Sequence, residues 1–318
     1  MNLNELIKKI DIKPKEKNEA LDTYIENSDK KREKLEMLLS EFQRVTSYES
    51  APTFVGQSPR EDVEGYYNYL DKNINKLDFS IAEVIQLTGN EQLYRSIESD
   101  ENTNSKFGLF LSALINKNIK EGDKVQIITS IPINNLFYRL ENAEAYVDIA
   151  GGGLGRGAKN SKVYAEEAGN LAGDYMRDCE LYVKKAGNFL GSGANNSKIY
   201  AEEAGDGAGH NMQNCELHVK KVGIFLGHGA KNSRIYAEEA GNLAGNYMRD
   251  CELYVKKAGN LVGSGANNSK IYADEVGSFA YNCFKRNNKV YLGEESYKEF
   301  IQNSPKYIGK VKLWEKQK

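Results

Sequence analysis

Two of the three histidines, His210 and His228, are separated by one period of an eighteen-residue internal repeat. If successive repeats stack as parallel strands, the two imidazoles lie about 5 Å apart. A pair of imidazoles at that spacing can bind a transition metal, with Asp206 or Asn246 as an oxygen ligand. A zinc site normally has three or four protein ligands, and only two are firm here. His210 and His228 are therefore a candidate metal site, and surface variation is the alternative.

Tyrosines recur with the same spacing. The series is Tyr146, Tyr164, Tyr182, Tyr200, Tyr236, Tyr254 and Tyr272, with His218 in the place of one tyrosine. Such a line of outward-facing rings could bind a partner protein or stack on a carbohydrate or a base. Alternatively, the rings stabilise a parallel sheet by stacking on one another. The predicted binding residues are Tyr164, Tyr182, Tyr200, His218, Ile224, Tyr236 and Tyr254. Ile224 is included because it replaces a recurring asparagine.

Three of the four cysteines, Cys179, Cys215 and Cys251, recur in every second repeat and occupy one phase of it. Two repeats separate them by about 9.6 Å, too far for a disulfide or a shared metal ion. We interpret them as small buried side chains. The lack of a close C-x-x-C pair favours a reducing compartment. The sequence predicts no catalytic residue and no cofactor.

The repeat itself runs from Ala143 to Arg286 as eight consecutive segments of equal length without a gap. The ninth position is glycine in every segment, and the thirteenth is glycine in all but the last, where Tyr281 stands. We interpret the ninth-position glycines as structural turn residues: Gly151, Gly169, Gly187, Gly205, Gly223, Gly241, Gly259 and Gly277.

Glycine content decides between a helical and a strand repeat. At about 1 kcal/mol for each interior glycine, the fifteen glycines at these two positions would weaken helices by roughly 15 kcal/mol. Positions three to five instead alternate apolar, tyrosine, apolar, as in Val163-Tyr164-Ala165, which is typical of a strand. The sequence thus predicts a mainly β fold, a right-handed parallel β-helix of eight coils.

Charges alternate along the repeat with a period of two segments. Glu166-Glu167 is followed one segment later by Lys184-Lys185, and then by Glu202-Glu203. In a stack of coils, this alternation places opposite charges next to each other and opposes a slip by one coil.

The stretch from Gly191 to Tyr200, GSGANNSKIY, with Gly187 before it, resembles a known G-x-x-x-G-x-G repeat. That repeat forms the right-handed β-helix at the C-terminal end of the glutamate synthase large subunit and occurs in one subunit of formylmethanofuran dehydrogenase. The resemblance covers residues 143–286. It implies a scaffold packed against catalytic domains. This sequence shows no nucleophilic N-terminal cysteine and no cysteine cluster for an iron–sulfur centre, so the enzymatic role is not carried over.

The flanking segments have another composition. We expect an α-helical N-terminal domain at residues 1–120 and a transition or capping segment at residues 121–142. The solenoid follows at residues 143–286, and a C-terminal cap at residues 287–318. Helices are predicted near residues 17–45, 60–75, 80–98 and 106–118. A solenoid must cover its end coils or it polymerises. In the C-terminal cap, Tyr297, Phe300, Ile301 and Trp314 are expected to supply apolar contacts.

The charge balance of 43 Lys and Arg against 45 Asp and Glu gives a net charge of -2. This argues against binding to nucleic acid or an anionic membrane. The sequence contains no signal-peptide pattern and no long apolar span, so we expect a cytoplasmic protein.

We predict a non-catalytic scaffold or protein-interaction subunit, with protein partners or self-association. One alternative is a subunit of a redox or one-carbon metalloenzyme complex. The other is a metal-dependent enzyme that uses the histidine-containing middle coils.

Overall fold

The computed structural model describes residues 28–47, 60–74, 79–88, 97–98 and 100–314. Four helices precede the sheet in this part of the chain: α1 (Ser28–Ser47), α2 (Arg60–Asn73), α3 (Ile81–Leu87) and α4 (Glu101–Asn118). The predicted helical N-terminal region is confirmed, although α3 is shorter than expected. Predicted helix residues 17–27 and 89–96 lie outside the described residues.

No helix in the described ranges has both the length and the apolar character needed for a membrane span.

Eleven strands form one parallel sheet in chain order, which confirms the β-solenoid. They are β1 (Lys124–Ile127), β2 (Glu144–Ala150), β3 (Lys162–Ala168), β4 (Glu180–Ala186), β5 (Lys198–Ala204), β6 (Glu216–Val222), β7 (Arg234–Ala240), β8 (Glu252–Ala258), β9 (Lys270–Val276), β10 (Lys289–Leu292) and β11 (Val311–Leu313). Helix α5 (Glu294–Asn303) and two 3-10 turns, Tyr281–Lys285 and Pro305–Lys310, complete the C-terminal region.

The solenoid has about ten turns, not the eight that the repeat predicts, because β1, β10 and β11 extend the sheet at both ends. Their spacing explains why the period does not reveal them. Lys124 pairs with Glu144, Lys270 with Lys289, and Val290 with Val311, and each of these steps along the chain is longer than the repeat period. The predicted domain boundaries stay a prediction.

Within the repeat, equal positions stack on each other. Val163 pairs with Leu181 and Tyr164 with Tyr182, so each residue meets its equivalent in the next segment. We call positions two to eight the strand face and positions nine to eighteen the turn side. On the strand face, positions three and five are buried, as at Val163 and Ala165. The core is therefore filled by alternate residues of every strand.

The turn side is hydrogen bonded from coil to coil as well. The Leu171 N–H donates to Asn188 O of the next coil at 2.8 Å, and the Gly173 N–H donates to Leu154 O of the preceding coil at 2.8 Å. Leu171, Gly173 and Tyr175 have φ values of 63°, 68° and 55°. Because every second residue here is in the left-handed region, the N–H groups of these residues point alternately to the next coil and to the preceding coil.

The two glycine positions have different physical requirements. Gly173, at position thirteen, needs its left-handed φ. Gly169, at position nine, has no such φ but lies against the backbone of the coil before it. A Cβ added at Gly169 would lie 2.7 Å from the Gly152 nitrogen and 2.8 Å from the Gly151 carbonyl carbon. Position nine is thus glycine because two coils approach closely there.

Helix α4 covers the first coil with apolar and polar side chains. Its large buried apolar residues are Phe107, Leu109, Phe110, Leu111, Leu114 and Ile115. Asn104 Oδ1 accepts from the Asn134 N–H at 2.7 Å. Ser112 Oγ accepts from the Tyr138 N–H at 3.1 Å. These side chains satisfy backbone groups that an end coil would otherwise leave unpaired.

The C-terminal end is covered by α5 and the following turn. Tyr297 and Phe300 pack against the core. Trp314 lies instead on the strand face, with ring centroids 6.4 Å from Tyr254 and 5.5 Å from Tyr272. One cluster of buried side chains continues from α1 through the solenoid to β11.

We predict that Gly169→Ala lowers the free energy of unfolding by about 1–3 kcal/mol, because the methyl group would overlap fixed backbone. Urea denaturation followed by circular dichroism measures this change. Gly65→Ala in α2 is the control, since a Cβ there meets nothing within 4 Å. It should stabilise the protein by about 0.5–1 kcal/mol. Equal effects of the two substitutions would contradict the close-approach explanation.

Removal of residues 287–318 should produce aggregates or fibres. The truncation deletes β10, β11 and α5 and leaves β9 as an open edge. Size-exclusion chromatography and electron microscopy test this, with a chain ending at residue 314 as the control. A soluble, monodisperse truncated protein would show that the tail is not needed as a cap.

Candidate functional site

The tyrosine series forms a continuous stack along the strand face. Tyr164 and Tyr182 have ring centroids 4.8 Å apart with planes 5° from parallel, and Tyr182 and Tyr200 repeat the arrangement at 4.8 Å. His218 continues the stack without a break, 5.1 Å from Tyr200 and 4.5 Å from Tyr236. The histidine thus takes over the structural position of a tyrosine.

The middle members of this stack offer little surface to a ligand. Tyr182, Tyr200 and His218 are buried, and neighbouring rings cover both faces of each one. The Tyr182 hydroxyl donates to Glu180 Oε2 at 2.7 Å. Burial raises the pKa of Tyr200 to about 12. These observations favour a stabilising role for the stack. Ligand binding by these residues stays a prediction.

His210 and His228 stack on the turn side, with ring centroids 5.0 Å apart and planes 8° from parallel. Three aromatic rings meet them edge-on. Phe189 lies 5.8 Å from His210, and Phe225 and Tyr247 each lie 5.7 Å from His228. Burial and the nearby His228 lower the pKa of His210. At neutral pH this favours an uncharged His210 inside an aromatic environment.

The parallel stack is a poor arrangement for a shared metal ion. Zinc–nitrogen bonds are about 2.0–2.1 Å, so two nitrogens on one ion must converge, whereas the in-plane lone pairs of parallel rings do not. Asp206 Oδ1 already accepts from the Ile224 N–H at 2.9 Å. The described residues hold no group of three or more His, Cys, Asp or Glu suited to a metal. A metal site at His210 and His228 stays a prediction that requires both rings to tilt.

The cysteines at position one belong to a buried column of serines and cysteines. The Cys179 N–H donates to Ser197 Oγ at 3.1 Å, and the Ser197 N–H donates to Cys215 Sγ at 3.4 Å. Burial raises the pKa of Cys179 and Cys251 to about 11. Such thiols are protonated at neutral pH and are poor nucleophiles.

The turn side carries a row of exposed apolar side chains that the sequence reasoning only partly identified. Five large apolar residues there are between 37% and 57% exposed: Tyr175, Phe189, Ile224, Tyr247 and Leu261. Of these, the sequence predicts only Ile224. All but Ile224 have a left-handed φ, between 55° and 61°. The recurrence of large residues at positions eleven and fifteen was the available sequence signal.

Some of these rings cover a glycine of the next coil. A Cβ added at Gly193 would lie 2.8 Å from the Tyr175 ring, and one at Gly265 would lie 2.6 Å from the Tyr247 ring. One part of each ring therefore packs on the neighbouring coil, while another part remains open to solvent. The rings combine a packing role with an exposed apolar surface.

The middle double coil, residues 197–232, departs from its neighbours mainly on the turn side. Residues 161–196 and 233–268 differ at five equivalent positions, whereas 161–196 and 197–232 differ at twelve. Nine of those twelve lie on the turn side: Asp206, Gly207, His210, Asn211, Gln213, Asn214, Ile224, His228 and Lys231. The strand face is almost unchanged, so the fold is kept while one patch of surface is altered.

Ile224 also interrupts a column of side-chain hydrogen bonds. At position ten, Asn170 Oδ1 accepts from the Asn188 N–H at 2.8 Å, and Asn188 Oδ1 accepts from the Asp206 N–H at 2.8 Å. Ile224 cannot accept from the next coil, although Asn242 resumes the pattern by accepting from the Asn260 N–H. The interruption places an apolar side chain in an otherwise polar column.

Comparisons of the chain with protein-family models, with curated proteins and with solved structures find no match.

Stability should fall as the pH drops below about 6.5, the usual histidine pKa in an unfolded chain. Burial lowers the folded-state pKa of His210 and His218, so the unfolded chain binds more protons in that range. Thermal unfolding of the wild type at pH 7.5 and 5.5 measures the drop. His218→Tyr and the double variant His210→Ser, His228→Ser should each reduce it, because tyrosine and serine occupy the equivalent positions elsewhere. A melting temperature that does not change with pH would contradict this prediction.

Proposed function

We propose that the protein is a non-catalytic scaffold whose solenoid binds a protein partner through the turn side of residues 197–232. The observation that carries the proposal is the concentration of repeat departures on the turn side of these coils, where Ile224 is an exposed apolar side chain. A repeat that keeps its strand face while changing nine turn-side residues retains the fold and varies a surface.

The energetics of the turn side support a binding role. A non-glycine residue in the left-handed region costs roughly 1 kcal/mol, and Gly153 and Gly207 show that glycine fits position eleven. Phe189 and Leu261 occupy that position instead and remain exposed. Exposed apolar rows of this kind mark interaction surfaces in soluble proteins. A partner would bury this surface and offset its cost.

The repeat type supports the same assignment. Its G-x-x-x-G-x-G pattern resembles the β-helices of the glutamate synthase large subunit and of a formylmethanofuran dehydrogenase subunit, where the resemblance implies a scaffold role. The alternative, a subunit of a redox or one-carbon metalloenzyme complex, would use the same surface to dock on catalytic subunits.

The test is a turn-side reversion variant, in which the nine departing residues are replaced by their equivalents in residues 233–268. These equivalents are Asn242, Leu243, Asn246, Tyr247, Arg249, Asp250, Asn260, Ser264 and Asn267. Cross-linking and purification from the native source should recover a specific partner with the wild type. The reversion variant should lose it, because its patch becomes a copy of the neighbouring coil.

The matched control changes the strand face of the same coils, with His218→Tyr and Val222→Ala. This variant should keep the partner. Loss of the partner from both variants, or from neither, would refute the assignment to the turn side. Recovery of metal-containing oxidoreductase or one-carbon enzyme subunits as the partner would favour the alternative.

A further inference from the structure

A cleft of about 630 Å³ lies where α2 and α4 meet the turn side of the first coils. Tyr67 and Asn116 line it from the helices. From the coils, four cationic side chains line it: Arg139, Arg156, Lys159 and Arg177. Its volume lies in the range typical of small-molecule sites, and junctions between structural units are common places for them. The cleft is separate from the patch on residues 197–232.

Two of the cations occur only at this end of the array. Arg156 stands at position fourteen, where later coils have Asp174 and then uncharged serine, asparagine or histidine. The Arg139 N–H donates to Arg156 O at 2.9 Å, just as the Gly157 N–H donates to Asp174 O at 2.8 Å. Arg139 therefore occupies position fifteen, where later coils have Gly, Tyr, Asn or Cys. The repeat departs from its own pattern where the helices cover it.

Arg156 is held by a buried carboxylate. Its Nε lies 2.9 Å from Asp174 Oδ2, and the two side chains are 12% and 3% exposed. Asp174 corresponds to Asn246, and this is the one difference between residues 161–196 and 233–268 that changes the charge. A buried ion pair is seldom more stabilising than neutral residues. The pair is better explained as a device that fixes a guanidinium in the cleft wall.

Two of the other cations, Lys159 and Arg177, are available to a ligand, whereas Arg139 pairs with Glu64 and donates to Asn68 Oδ1 at 3.0 Å. Lys159 Nζ lies 2.9 Å from Glu141 Oε1, but both side chains are half-exposed. Exposed ion pairs of this kind contribute little to stability. Arg177 is exposed and forms no ion pair with any residue that the structure describes. With the acidic residues Asp71, Glu121 and Glu141 also present, four positive and three negative charges line the cleft. This balance suits a compact anionic group more than a long polyanion.

Asn116 adds a neutral hydrogen-bonding group to the lining. Its Nδ2 donates to the Tyr67 hydroxyl at 2.7 Å and to Tyr138 O at 2.9 Å. Its Oδ1 is buried and has no hydrogen-bond partner among the described residues. A buried carbonyl oxygen without a partner is uncommon.

We propose that this cleft binds a small polar molecule that carries a phosphate or carboxylate group. Arg156 and Arg177 bind the oxyanion, and Lys159 turns from Glu141 to join them. Guanidinium groups suit both oxyanions because they donate two parallel hydrogen bonds.

The full chain should be titrated with inorganic pyrophosphate and, separately, with citrate by isothermal calorimetry. Saturable binding of pyrophosphate alone assigns the cleft to phosphate, and binding of citrate alone assigns it to carboxylate. The double variant Lys159→Gln, Arg177→Gln should weaken binding of the active probe about tenfold or more. Both changes are on exposed side chains, so the fold is retained.

The matched control is Lys231→Gln, Arg249→Gln. Lys231 and Arg249 are exposed position-seventeen neighbours joined by the same bridge as Lys159 and Arg177, but they lie outside the cleft. This control should bind the probe like the wild type. Equal loss in both double variants would show non-specific attraction, and no saturable binding of either probe would also overturn the proposal.

A third variant tests the role of the buried pair. Arg156→Ser with Asp174→Asn introduces residues that position fourteen uses in other coils, so it removes the guanidinium without leaving a buried carboxylate unpaired. Probe binding should be lost while the melting temperature is unchanged or raised. Retained binding would overturn the role assigned to Arg156.

Discussion

The structure depends on the in-register parallel stacking of its coils. On the strand face, Val163 pairs with Leu181, and on the turn side the Leu171 N–H donates to Asn188 O of the next coil. Both halves of a coil are thus bonded to the coils on either side of it. Because equal positions lie about 4.8 Å apart, the nearest neighbours of each side chain are its own equivalents.

This constraint determines the chemistry of each position along the array. Charges at one position must alternate in sign from coil to coil, and Lys162 Nζ accordingly lies 3.4 Å from Glu180 Oε2. Aromatic rings stack, as Tyr164 does on Tyr182. Glycine recurs where backbones approach, as at Gly169. Side chains that follow the repeat mostly contact one another. The two proposed binding sites lie where the sequence departs from the repeat, in the middle double coil and at the junction with the helices.

The sequence predicts features that recur and misses features that depend on a single contact. Periodicity reveals the coils and the stacked His210 and His228, since both occupy position fourteen. It cannot reveal β1, whose pairing step to β2 is longer than the repeat period. Nor can it reveal the cleft, because Tyr67 and Tyr138 are distant in the chain and meet only in the folded protein. The sequence also does not show which rings of the turn side remain exposed, because their exposure depends on how the coils pack.

The near identity of residues 161–196 and 233–268 creates an ambiguity that stacking alone cannot remove. A mispairing by two double coils, with residues 233–268 in the place of residues 161–196, keeps every charge match except the ion pair of Arg156 with Asp174. Two looped-out double coils, or an exchange of double coils between two chains, are thus a natural kinetic trap during folding. Closing a loop of that length costs only a few kcal/mol. The hydrogen bonds from Asn104 and Ser112 to the first coil therefore fix the register of that coil, from which each later coil takes its own register.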